Sequence, residues 1–111
     1  MATYPAPAGR RNLYIQLPAP LVAHLDAQAD YQGCSRNAYI RRLAVADRDA
    51  AKPAARLAAY QADDEPVKPI TFMMDAALVD HLDAQAARFN ISRTAYIRHL
   101  IARDIRRQGA A

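Results

Sequence analysis

Asn12, Tyr14 and Gln16 stand at alternate positions of one short stretch, and their amide and hydroxyl groups can each donate and accept hydrogen bonds. Side chains two apart share one face of a β-strand, so the three present a row of donors and acceptors. A later stretch holds Thr71 and Met73 in matching places, a hydroxyl and a thioether. A second chemistry is anion binding. Ser35-Arg36 and Ser92-Arg93 each read as a helix start, where free backbone N–H groups and the positive helix end favour a phosphate. An arginine in a first turn opposes the helix dipole, which favours an anionic partner for Arg36 and Arg93 over simple solvation. Arg10 and Arg11 precede the first candidate strand and Lys68 the second, placed to track a phosphate backbone.

Other chemistries find less support. The chain has three glycines and no phosphate-cradling loop, and no nucleophile, base and acid at a workable spacing, so no enzyme activity is expected. His24 and His81 lie near Asp26 and Asp83, but with no third ligand evident they read as solvated helix-face residues; neither a metal nor a cofactor is expected. Cys34 is the lone cysteine and reads as a small turn residue, so no disulfide framework exists and a reducing cytoplasm is the expected setting. No apolar run reaches the length of a signal peptide or a membrane span. The net charge of +4 leans towards a polyanionic partner without any polybasic run.

The elements that carry these residues occur twice. LVAHLDAQAD at 21–30 returns as LVDHLDAQAA at 78–87, and SRNAYIRRL at 35–43 returns as SRTAYIRHL at 92–100, both at one offset of 57 residues. Units of roughly 40 residues are too small to bury an adequate core alone, so the two copies must pair. Each copy reads as strand, helix, helix. Leu13, Ile15 and Leu17 alternate with Asn12, Tyr14 and Gln16, and Ile70, Phe72 and Met74 repeat that inner face. Leu21, Val22, Leu25 and Ala29 fall at helical spacing, with Gly33 as a left-handed stop that Asn90 replaces in the second copy. Ser35 and Ser92 are expected N-caps of the second helices, and Asp75 the cap of the helix after it. Tyr39 and Tyr96 are expected at the core edge with their hydroxyls in water. Between the copies, Ala54–Ala62 has the composition of a short helix carrying Leu57 and Tyr60, and Asp63–Pro66 an exposed acidic connection.

The x-L-x-I-x-L strand and the S-R-x-A-Y-I entry to the second helix resemble the bacterial ribbon-helix-helix DNA-binding proteins, over roughly 12–48 and 69–105. The resemblance implies a fold that is mainly α with a two-stranded antiparallel β-ribbon, ribbon-helix-helix twice in tandem, forming an intramolecular pseudo-two-fold dimer. The implied organisation is a flexible basic arm at 1–11, one repeat at 12–49, a linker at 50–67 and a second repeat at 68–107. It also implies base reading by Asn12, Tyr14, Gln16, Thr71 and Met73, and phosphate binding by Ser35, Arg36, Ser92 and Arg93. The two halves differ, so a palindromic target is not required. The expected partner is double-stranded DNA and the expected function sequence-specific repression or autoregulation, by a monomer that can sit on DNA in more than one copy. Two alternatives stay open: a plasmid-transfer relaxosome accessory protein, which would use the same ribbon, and an antitoxin-like protein-interaction module, for which only the linker is left.

Overall fold

Residues 9–53, 55–58 and 66–109 are described by the computed structural model. β1 (Arg10–Pro18) leads into α1 (Ala19–Gln32) and α2 (Arg36–Asp49); β2 (Val67–Asp75) leads into α3 (Ala76–Arg88) and α4 (Arg93–Gly109). The strands pair antiparallel along their whole length, from Arg10 opposite Asp75 to Pro18 opposite Val67. Leu13, Ile15 and Leu17 and their counterparts Ile70, Phe72 and Met74 turn inward, each at most 5% exposed. The intervening side chains face away from the core.

The expected class, mainly α and built as a ribbon-helix-helix pseudo-dimer, is corrected to one two-stranded sheet and four helices in the order β-α-α-β-α-α. That α+β order is compatible with two β-α-α units in tandem. The ribbon is longer than the sequence suggested, at nine residues in each strand, because the ladder takes in charged and proline residues at its ends. Both strands are edges, where such residues cost little. Arg10 and Arg11 therefore belong to β1 and not to a basic arm; the rest of that arm, 1–8, lies outside the described residues. Nor do the copies stand as separable bodies. α1 packs on α4 and α2 on α3, and both strands rest on helices of both copies. One hydrophobic core results, with Leu17, Leu21, Leu25, Leu78, Leu82, Tyr96, Ile97 and Ile101 essentially sealed from solvent.

Local chemistry explains the element ends. Ser35 Oγ accepts the Ala38 N–H at 3.1 Å and Ser92 Oγ the Ala95 N–H at 3.1 Å, so both serines cap their helices. Gly33 (φ 70°) and Asn90 (φ 59°) adopt the left-handed conformation that closes α1 and ends the turn after α3. The next residues, Cys34 and Ile91, return their N–H groups to Ala29 and Ala86 at 2.9 Å. The first helices begin differently. Asp75 makes no side-chain cap, contrary to expectation, because its carboxylate pairs with Arg41 at 3.4 Å. Instead the first N–H of each helix crosses to the residue just before the opposite strand: Ala19 donates to Pro66 at 2.8 Å and Ala76 to Gly9 at 2.5 Å. Between the copies, the described residues 55–58 are not helical, and Tyr60 of the expected short helix lies outside the described residues. Leu57 packs against the core, and the Ala58 N–H donates to His99 Nδ1 at 2.7 Å, fastening the linker to α4.

Candidate nucleic-acid interface

The outward face of the ribbon has no element over it among the described residues. Asn12 faces Met73 across the ladder, Tyr14 faces Thr71, and Gln16 faces Pro69. All six are exposed, Tyr14 at 64% and Met73 at 47%. The five residues expected to read bases thus lie together in one strip two strands wide. Arg10 extends the strip by one position, since its parity matches Asn12, while Arg11 has the opposite parity and reaches towards Asp80 on α3 at 3.8 Å. Lys68 is exposed beside the other end of the ladder. A groove of about 330 Å³ flanks the Arg10 end, lined by Arg10, Asn37, Ala38, Arg41, Met73 and Asp75.

The residues expected on phosphate are placed less uniformly. Arg36 and Arg93 lie in the first turns of α2 and α4 but are each held two-pronged by an aspartate of the preceding helix. Arg36 donates from Nε and Nη2 to Asp26 at 2.6 and 2.9 Å, and Arg93 to Asp83 at 2.7 and 2.9 Å. These bonds keep both carboxyls below the ordinary carboxylate value and raise both guanidinium values. The arginines are consequently oriented, with about a third of each side chain in solvent, and each already faces one carboxylate before any anion arrives. The hydroxyls of Ser35 and Ser92 are spent on their own caps. At these two sites an anion would meet backbone N–H groups and the remaining guanidinium edge.

Between the helices the structure overturns two expectations. His24 and His81 are not solvated: each is mostly buried and bonds an aspartate of the other copy, His24 Nε2 to Asp104 and His81 Nε2 to Asp47, both at 2.8 Å. The hydroxyls of Tyr39 and Tyr96 are not wet either. Tyr39 donates to Asp104 at 2.5 Å and Tyr96 to Asp47 at 2.7 Å. Each aspartate therefore gathers a histidine and a tyrosine, and Asp47 additionally takes Arg103 Nη2 at 3.1 Å. Burial pushes Asp47 upward, but the bonds from Tyr96 and His81 and the charge of Arg103 outweigh it and hold the carboxyl below its usual value. Burial and the adjacent carboxylates push both tyrosines well above theirs. Neither Asp47 nor Asp104 stood out in the sequence. Both recur at the 57-residue offset together with His24/His81 and Tyr39/Tyr96, and that joint recurrence is the signal that could have found them.

Among the described residues no group of three His, Cys, Asp or Glu side chains is arranged to hold a metal, and no helix is long and apolar enough to cross a membrane. In comparisons with known proteins, no family model, curated protein or solved structure matches this chain.

Proposed function

We propose that this chain binds double-stranded DNA through the exposed face of its β-ribbon and, acting in the cytoplasm, serves as a transcriptional repressor or autoregulator. Membership of the ribbon-helix-helix family belongs to the same proposal, as does function as a monomer. One observation carries it: an uncovered strip of Asn12, Tyr14, Gln16, Thr71 and Met73 on an antiparallel ribbon, bordered by Arg10, Arg11 and Lys68. A two-stranded ribbon fits the major groove, where each base pair shows a distinct pattern of donors and acceptors. The amides of Asn12 and Gln16 match the paired donor and acceptor of adenine, and the Tyr14 ring and Met73 thioether suit a thymine methyl. Arg11, Lys68, Arg36 and Arg93 supply sequence-independent contacts that set position on the duplex. A plasmid-transfer accessory role would use the same surface, and genomic neighbours would separate the two.

The test is selection from random duplex DNA with the purified full chain, followed by affinity against salt on the enriched sequence. The expected outcome is an enriched motif whose log affinity falls with log salt by roughly 0.9 per phosphate contacted. Weak, salt-sensitive binding with no enrichment would overturn the proposal.

A further inference from the structure

The ladder register and the repeat offset together make the ribbon face directional. Tyr14 and Thr71 are equivalent residues of the two copies and stand directly opposite each other, so they mark the midpoint of the strip. In a perfectly repeated chain the positions on either side would match in pairs. Here they do not. Arg10 is equivalent to Val67, Asn12 to Pro69, and Gln16 to Met73. One end of the strip carries Arg10 opposite Asp75 and Asn12 opposite Met73; the other carries Gln16 opposite Pro69, then Val67, whose ladder partner Pro18 is buried.

The charged end is arranged so that its cation stays available. Asp75, the ladder partner of Arg10, is taken by Arg41 of α2 at 3.4 Å. Arg10 makes no ion pair or side-chain hydrogen bond with any described residue and lines the open groove next to Asn37 and Met73. A guanidinium with no partner among the described residues, in line with a base-facing strip, presents the two parallel donors that fit the O6 and N7 acceptors of guanine. At the opposite end Val67 is 53% exposed beside Pro69, an apolar pair with no donor to offer, suited to thymine methyls.

We propose that the chain takes a non-palindromic duplex in a single orientation, with Arg10 reading a guanine at one end of the site and Val67 and Pro69 packing on thymine methyls at the other. This rests on the DNA-binding function proposed above and names the target class of that site. Asn12 and Gln16 then read adenines on either side of the midpoint, and Arg10 is a specificity-determining residue as opposed to a backbone contact.

The experiment is the random-duplex selection carried out in parallel with the full chain and with its Arg10→Gln variant. The expected result is an enriched motif without internal two-fold symmetry, bearing a G·C pair at one end. Arg10→Gln should lose preference at that pair alone, by roughly 5- to 100-fold, and keep the rest of the motif. An enriched palindrome would overturn the directional target while leaving DNA binding intact. An asymmetric motif whose affinity falls uniformly in Arg10→Gln would overturn the guanine assignment, since a phosphate contact weakens all sequences alike. No enrichment with either protein would overturn DNA reading itself, and the directional target with it. Arg10 is exposed at a strand end, so an unchanged urea midpoint in the variant separates lost reading from lost folding.

Discussion

Asp47→Ala is expected to be among the most damaging single substitutions in this chain. The Asp47 side chain is 4% exposed and its carboxylate accepts from Tyr96 at 2.7 Å, His81 at 2.8 Å and Arg103 at 3.1 Å, groups that all belong to the other copy. Its removal leaves the Tyr96 hydroxyl without an acceptor in a fully sealed position, at about 1–3 kcal/mol. His81 and Arg103 keep some contact with water and lose less, but their bonds to a charged acceptor are worth more than neutral ones. The total falls at about 3–5 kcal/mol, the usual cost of deleting one member of a buried charged cluster. That is a large share of the roughly 5–15 kcal/mol a small domain has. In urea denaturation, with a slope of about 1–2 kcal/mol per molar, the midpoint should drop by about 2–3 M with the slope unchanged. Asp26→Ala is the control: it breaks the bidentate pair with Arg36, but both side chains are more than a third exposed and the cost should be about 0–1 kcal/mol. Asp104→Ala should fall between them, because Ala46 stands in the first copy where Arg103 stands in the second. A midpoint for Asp47→Ala no lower than that for Asp26→Ala would refute the idea that these clusters lock the copies together.

Three further outcomes are expected. Because the folded-state pKa of Asp47 is lowered, its contribution to stability is complete at pH values above the ordinary carboxylate range and disappears as the pH falls through the folded value. The gap in stability between the native chain and Asp47→Asn, followed by urea melts from pH 7 to pH 3, should therefore narrow on acidification. Gln16→Ala should cost about 1–3 kcal/mol on the enriched duplex and relax one base position, read by competition binding; a silent substitution would contradict its place in the reading strip. Arg93→Ala should weaken all duplexes alike and flatten the salt dependence by about one unit of slope, and a loss confined to one base position would contradict its role.

The parts of this fold that a sequence can show are those decided locally. Strict alternation in Leu13–Leu17 and Ile70–Met74 marks the strands because period two has one structural meaning over a short apolar run. Ser35, Ser92, Gly33 and Asn90 mark helix ends because each solves a problem of its own turn. The strand ends were not legible: Arg10 and Arg11 carry the chemistry of a solvated arm, and only their partners Asp75 and Met74 across the ladder make them strand. His24 and His81 read as solvated, and Asp47 and Asp104 carry no signal of their own, for the same reason. On its own helix each is a polar residue on a polar face, and the bonds that bury it join residues as far apart as His24 and Asp104. The site divides likewise. The outward row was visible from parity, but the register that sets Tyr14 against Thr71, and the Arg41–Asp75 pair that leaves Arg10 available, arise only on pairing. Arg36 and Arg93 looked free for phosphate because nothing in a linear reading says that Asp26 and Asp83 reach back to hold them.

The most direct measurement is an NMR titration of the isotope-labelled chain with a duplex enriched by selection, or with a pooled random duplex of the same length. Large amide shifts along Asn12, Tyr14, Gln16, Thr71 and Met73, with smaller ones at the starts of α2 and α4, are the predicted result. Shifts confined to the outer helix surfaces or the linker, or none at all, would contradict the ribbon face as the DNA-reading surface.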